Sequence, residues 1–283
     1  MTRKSFFESM NREINLQQEY YKLERMVCEE SIPDDRRTLN EILEKGFRNW
    51  KRKSNYTSFD ELRNSFGFRV DLTNRYAPTY FVRVVDENAF FSYCEMLMNV
   101  ITGTLAVDYT PCKRQVLHIL ETIRADLAKL NHMFAKTEDG EWSIVQCDAA
   151  ASSAADLVPL EVGQAIIQYN HYLLRGDIEK KRNLLKIIAD ELEPKRPHLK
   201  EVNKGVEVNL FFLFNKMSIR HNNRDAGDKE HFNPVLVKLS NKEVEDWYDD
   251  TYQLALYAIL IIDNCSRMKK VDLLKQNMID SGS

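Results

Sequence analysis

Glycine and proline are scarce in this sequence, 9 and 7 among 283 residues. That excludes collagen-like and low-complexity chains and favours helix, while 43% hydrophobic residues suffice for a packed core. Long apolar runs are missing too. The longest, Leu254–Ile262, falls far short of the roughly 20 residues of a membrane span, so it reads as a helix buried on all sides. The five cysteines (28, 94, 112, 147 and 265) are odd in number and form no CxxC pair. This argues against a disulfide framework or zinc ribbon and fits a reducing cytosol. Neither charge sign dominates: 40 Lys+Arg against 43 Asp+Glu leave a net charge of −3, so any nucleic-acid contact must come from a local patch. Met1–Asn11 is polar with no apolar segment, so no secretory signal is expected. The expectation is a cytoplasmic protein with no membrane association.

Familiar chemical motifs are absent as well. There is no HExxH and no Cys/His cluster at zinc spacing, so no metal site is expected; Asp228 and Glu230 beside His231 are neighbours of a kind any polar loop produces. Neither GxxxxGK[ST] nor GxGxxG occurs, and no GxSxG marks a nucleophile, so no cofactor is expected.

Apolar periodicity sets out a mainly α chain long enough for two domains. Residues 1–110 form a helical N-terminal region without an assigned function, with stripes Ile14–Leu23 and Leu39–Phe47 separated by Ile32-Pro33-Asp34-Asp35, where an Asp is placed to cap the second helix. The basic-aromatic stretch Phe47–Lys53, followed by Tyr56, is read as a helix end with its Trp packed inward, against a rival RNA-stacking role. Tyr80–Val85 suggests a short strand. Residues 111–157 form a linking module. It holds a helix over Lys113–Phe134, carrying His118 and His132 as structural residues, and a β-hairpin of Met133–Lys136 with Trp142–Cys147. A boundary near 155 leads into a helical bundle over 158–275. Its expected helices are Leu160–Leu174; Ile178–Leu192, capped by Asp177, with Glu179–Arg182 on the wet side and Pro194 and Pro197 as its stop; Val206–Ile219; and Val244–Asp263.

Between the last two helices lies a polar run, Arg220-His221-Asn222-Asn223-Arg224-Asp225-Ala226-Gly227-Asp228-Lys229-Glu230-His231, with two of the six histidines. Arginine is a permanent cation whose planar fork fits phosphate oxygens. A neutral imidazole can take the proton of a ribose 2′-hydroxyl, and its protonated form can give one to a leaving 5′-oxygen. Asn222, Asn223 and Lys229 add donors for substrate. These are the parts of a metal-free ribonuclease; the same residues also suit a loop that caps the preceding helix.

From Tyr169 onward the chain resembles a HEPN domain. The resemblance rests on Tyr169-Asn170-His171-Tyr172-Leu173-Leu174-Arg175-Gly176-Asp177, on the charged helix after it, and on an Arg–polar–His element before the last helix. Arg224-Asp225 followed by His231 has the expected spacing; Arg220-His221 has the first pair but lacks the distal His. The string Ile219–Asn223, with Trp247-Tyr248-Asp249-Asp250 downstream, is similar to the AbiJ-like abortive-infection group. The resemblance implies a metal-independent endoribonuclease effector of antiphage defence, of abortive-infection or toxin type, cutting RNA. It also implies a homodimer through the C-terminal bundle, and an antitoxin or other defence-system partner. Arg224, His231, Arg220 and His221 are the candidate catalytic residues: either Arg224 and His231 carry catalysis, with Arg220 and His221 in loop order or substrate positioning, or the site lies one turn earlier on Arg220 and His221. The alternative is a non-catalytic HEPN-like helical module binding a partner protein or nucleotide.

Overall fold

The computed structural model describes residues 14–33, 35–51, 54–71, 73, 79–80, 84–105, 112–137, 139–224, 227 and 229–280. The protein is mainly helical, 69% helix against 7% strand, as the apolar periodicity predicts; beside the expected hairpin the described residues hold a second small antiparallel sheet, which the sequence does not lead one to expect. It divides into two compact units, 1–144 and 145–283.

In the first unit, α1 (Leu16–Cys28), α2 (Leu39–Phe47) and α3 (Phe59–Ser65) precede a two-stranded ribbon, β1 (Val70–Asp71) and β2 (Thr79–Tyr80). Two longer helices follow, α4 (Glu87–Thr104) and α5 (Lys113–Lys129), then the hairpin of β3 (His132–Lys136) with β4 (Trp142–Gln146). Tyr20, Leu43, Phe47, Phe90, Phe91, Leu97, Ile119 and Ile123 are buried together as its core. Each of the first helices starts at a side chain that accepts an orphan N–H: Asn15, Thr38 and Ser58. Thr38 with Glu41 forms a full capping box, so the expected Asp cap of α2 is corrected; Asp35 pairs with Arg37 instead. Inside this core sits a buried ion pair, Arg63 with Glu24; the guanidinium also donates to Asn40 Oδ1 (3.0 Å) and to Cys28 Sγ (3.4 Å). Burial pushes the Cys28 thiol up to about 12, which makes it inert.

The helix expected over Lys113–Phe134 ends at Lys129. Asn131 takes a left-handed φ of 57° and turns the chain into β3, so His132 lies on a strand, buried, its ring 4.4 Å from that of Phe91. Of the strand expected over Tyr80–Val85, Tyr80 lies in β2, Val84 and Val85 are not in a strand, and 81–83 lie outside the described residues.

The second unit begins within β4 at Val145, ten residues before the position near 155 where composition sets a boundary. The reason is packing. Ala149–Ala155 is a helix (α6), capped by Asp148, and it lies on α7 (Leu160–Tyr169) through Ala151, Ala154 and Gly163. A Cβ at Gly163 would stand 2.8 Å from the Ala155 carbonyl oxygen, so only glycine allows this approach. The chain continues through α8 (Ile178–Leu192), α9 (Arg196–Val202), α10 (Lys204–Lys216), α11 (Pro234–Lys238) and α12 (Asn241–Asp280). Helix α12 packs against α6, α8, α9 and α10, and Leu185, Ile188, Leu210, Phe214, Tyr252 and Leu256 share one core.

Several expected boundaries change for local reasons. The helix from Leu160 stops at Tyr169, because the Asn170 carbonyl accepts from Gln146 N–H (2.9 Å) and His171 bridges to Val145. Pro197 opens α9, where its missing N–H costs nothing, instead of stopping α8. Helix α10 is apolar yet partly exposed: Val208 and Phe212, one turn apart, are 51% and 60% exposed. Leu254–Ile262 is not buried on all sides, since Tyr257 is 49% exposed. Helix α12 runs 40 residues, about 60 Å at 1.5 Å per residue, well past Asp263.

Candidate functional site

The polar run between the two core helices of the second unit is a folded loop organised on Asn223. This side chain is fully buried, at 0% exposure. Its Oδ1 accepts from Ser218 N–H (3.0 Å), while its own backbone N–H donates to Ser218 Oγ (3.1 Å), a reciprocal pair. Its Nδ2 donates to the His231 carbonyl (2.6 Å), and its carbonyl accepts from Asn233 N–H (2.8 Å). Ser218 turns the chain out of α10 with a left-handed φ of 58°, unfavourable by roughly 1–2 kcal/mol for a residue with a Cβ. Those two hydrogen bonds, and Arg182 donating to the Ser218 carbonyl, hold it there. The end of α10 is closed by main chain: Met217 N–H to the Leu213 carbonyl (2.9 Å) and Arg220 N–H to the Phe214 carbonyl (3.1 Å).

The fold-back brings His221 and His231 together. Their rings stack with centroids 4.1 Å apart and planes 18° from parallel, and both are half-buried. Two adjacent imidazoles can receive and donate protons at neighbouring points of a single substrate.

The arginines go elsewhere. Arg220 is half-buried and ion-paired with Glu193, just past α8. Arg224 is exposed and lines an open depression of about 550 Å³ together with Arg175, Asn241 and the first turn of α8. Burial pushes the Tyr248 phenol up to about 12, against the lowering pull of Arg182 and Arg224. Asn222 and Lys229 are exposed on the loop; Asp225, Ala226 and Asp228 lie outside the described residues. Asn223, expected to bind substrate, is instead an internal brace, because burial and its hydrogen bonds to Ser218, His231 and Asn233 leave it no path to a ligand.

A second polar cluster was not singled out by spacing. Lys181, expected on the wet side of its helix, is buried; it donates to Asp249 Oδ1 and Oδ2 (2.7 and 3.0 Å) and pairs with Glu245 (2.7 Å). Tyr169 O–H donates to the same Asp249 (2.8 Å), and its ring stacks on Tyr252 at 4.1 Å. Burial and the Asp249 carboxylate raise the Tyr169 phenol, so it is a fixed donor. The available signal was the i, i+4 carboxylate pair Glu245/Asp249 on α12, which needs a cation opposite. Among the described residues no group of three His, Cys, Asp or Glu side chains is placed to hold a metal ion, and no helix is long and apolar enough to cross a membrane.

No protein-family model, no curated protein and no solved structure matches this chain.

Proposed function

We propose that the protein is a metal-independent endoribonuclease of the HEPN type, an RNA-cutting effector of antiphage defence. The observation that carries this reading is the His221–His231 stack, held half-exposed on a loop braced by Asn223. In the reaction, one imidazole in its neutral form removes the proton of a ribose 2′-hydroxyl. The 2′-oxygen forms a bond to phosphorus as the bond from phosphorus to the 5′-oxygen breaks, and the other imidazole, protonated, gives its proton to that leaving oxygen. The products are a 2′,3′-cyclic phosphate and a 5′-hydroxyl. Arg224, with Arg175 in the same depression, supplies fixed positive charge for the phosphates on either side of the cut. Arg220 serves the fold, through Glu193.

A homodimer belongs to this reading, because one stack and one arginine cluster grip a strand from one side only. The exposed Met268, Val271, Leu274 and Met278 on the final turns of α12 offer the surface. That same surface favours the second reading, a non-catalytic helical module that binds a partner protein. The two separate on one assay: total RNA incubated with the protein in EDTA. Cyclic phosphate ends support the nuclease; intact RNA supports the module. Cutting that requires Mg²⁺ and leaves 5′-phosphates would belong to carboxylate-held metal chemistry and would overturn the first reading.

A further inference from the structure

We infer that the first unit carries a binding site for a single-stranded polynucleotide, formed by Trp50 and Lys51 after α2 and by Lys136 and Trp142 of the β3–β4 hairpin. These residues, about 90 positions apart in sequence, line one cavity of about 460 Å³ whose floor is α4 at Asn99 and Gly103. Binding here is separate from cleavage by the second unit and stands without it.

Each indole is fixed by its own support. Trp50 packs edge-on against the buried Phe47, centroids 5.5 Å apart at 61°. Its indole nitrogen lies where a Cβ on residue 103 would be, 2.1 Å away, so Gly103 is what lets the ring lie on the helix. Trp142 is held at its main chain by the side chain of Asn99, which accepts from the backbone N–H (2.8 Å) and donates to the carbonyl (2.7 Å), while its ring meets Phe134 edge-on with centroids 6.3 Å apart. Neither ring is buried, so both offer surface to the cavity. A cation attends each. The Lys136 ammonium stands 5.1 Å from the centre of the Trp142 ring, and Lys51 follows Trp50 on the exposed rim.

The lining chemistry selects the ligand. Apart from the two indoles, the described lining side chains are polar or absent, so an apolar peptide anchor would find no aliphatic pocket. Rigid aromatic faces beside lysines suit planar bases joined by phosphates, and every base has a face to stack. Glu141 is the one carboxylate among the described lining residues; it opposes an anionic ligand and sets an upper limit that its removal would lift. Trp50 and Lys51 of the basic-aromatic run are therefore half of a site, with the hairpin as its other half.

The test measures binding by fluorescence anisotropy, using full-length protein carrying His231→Ala and labelled ribo- and deoxyribo-strands of roughly 12 nucleotides. Lys51→Glu with Lys136→Glu, both exposed positions, should weaken binding about tenfold or more and flatten its dependence on salt by about two phosphate contacts. Trp142→Leu should weaken it about tenfold and Trp142→Phe less, since a ring remains to stack; Glu141→Gln should tighten it. Equal binding of the two strands fits recognition by stacking and charge, and preference for the ribo-strand adds a contact to the 2′-hydroxyl. No binding by the parent at low salt, or undiminished binding by a double lysine variant that melts like the parent, overturns the inference.

Discussion

His221 and His231, ten residues apart, stack their imidazoles at 4.1 Å because Asn223 ties the chain back on itself between them. The stack is a consequence of that brace, so the proposed function and the stability of the loop share one residue. Asn223→Ala should destabilise the protein by roughly 1–3 kcal/mol, the cost of leaving buried partners unsatisfied, and should depress RNA cleavage although Asn223 touches no substrate. Asn223→Asp, which sets an acceptor against the His231 carbonyl, should be at least as damaging. Urea melts and cleavage rates on the same samples check this; a stable variant with parental activity would show that the brace is dispensable.

Lys181 joins α8 to α12 through Glu245 and Asp249, and this joint carries a pH dependence. Burial pushes the Glu245 carboxyl up, but the Gly176 N–H and the Lys181 ammonium outweigh it, leaving the group below its ordinary 4.5. A depressed carboxyl stabilises the fold above its unfolded value and loses that contribution as pH falls through the folded value. Glu245→Gln should therefore cost stability at neutral pH, roughly 1–3 kcal/mol for a charged hydrogen bond, and the gap from the parent should close in acid. Melting temperatures from neutral pH to below pH 4.5 read both ends.

In the first unit, Arg63 and Glu24 are buried together, and Glu24 Oε1 and Arg63 Nε have no partner. Removing one charge strands the other. Arg63→Ala should cost roughly 3–5 kcal/mol, whereas the double change Arg63→Met with Glu24→Leu should recover most of it, since well-packed apolar pairs often match a buried ion pair. Equal losses in the single and double variants, measured by denaturant unfolding, would mean the pair is net stabilising.

The end of α12 exposes the apolar residues Met268, Val271, Leu273 and Leu274. Val271→Asp with Leu274→Asp should turn a dimer into a monomer with little change in the fold, as read by light scattering and circular dichroism. A parent that is already monomeric at micromolar concentration would remove α12 as the dimer surface.

What is local in this fold was legible in the sequence. Asp177 caps α8 as its position before Ile178 implies, and the hairpin follows from two short β-prone runs flanking Gly140. Contacts set by distant residues were not. Lys181 reads as a surface residue until its partners, 64 and 68 positions away on α12, are in place. The same holds for Trp50, whose companion Trp142 comes from another element. At the loop, Arg-to-His spacing points to Arg224 and His231, but spacing cannot show that a buried Asn brings His221 under His231 and that Glu193 has taken Arg220.

The cleavage rate in EDTA of His221→Ala and of His231→Ala, each compared with the parent under single-turnover conditions, tests the central claim most directly. Loss of on the order of a hundredfold or more in both variants, with cyclic phosphate ends from the parent and near-parental rates for Arg220→Lys, is the predicted result. Parental rates in both histidine variants, with melting temperatures unchanged, would contradict it.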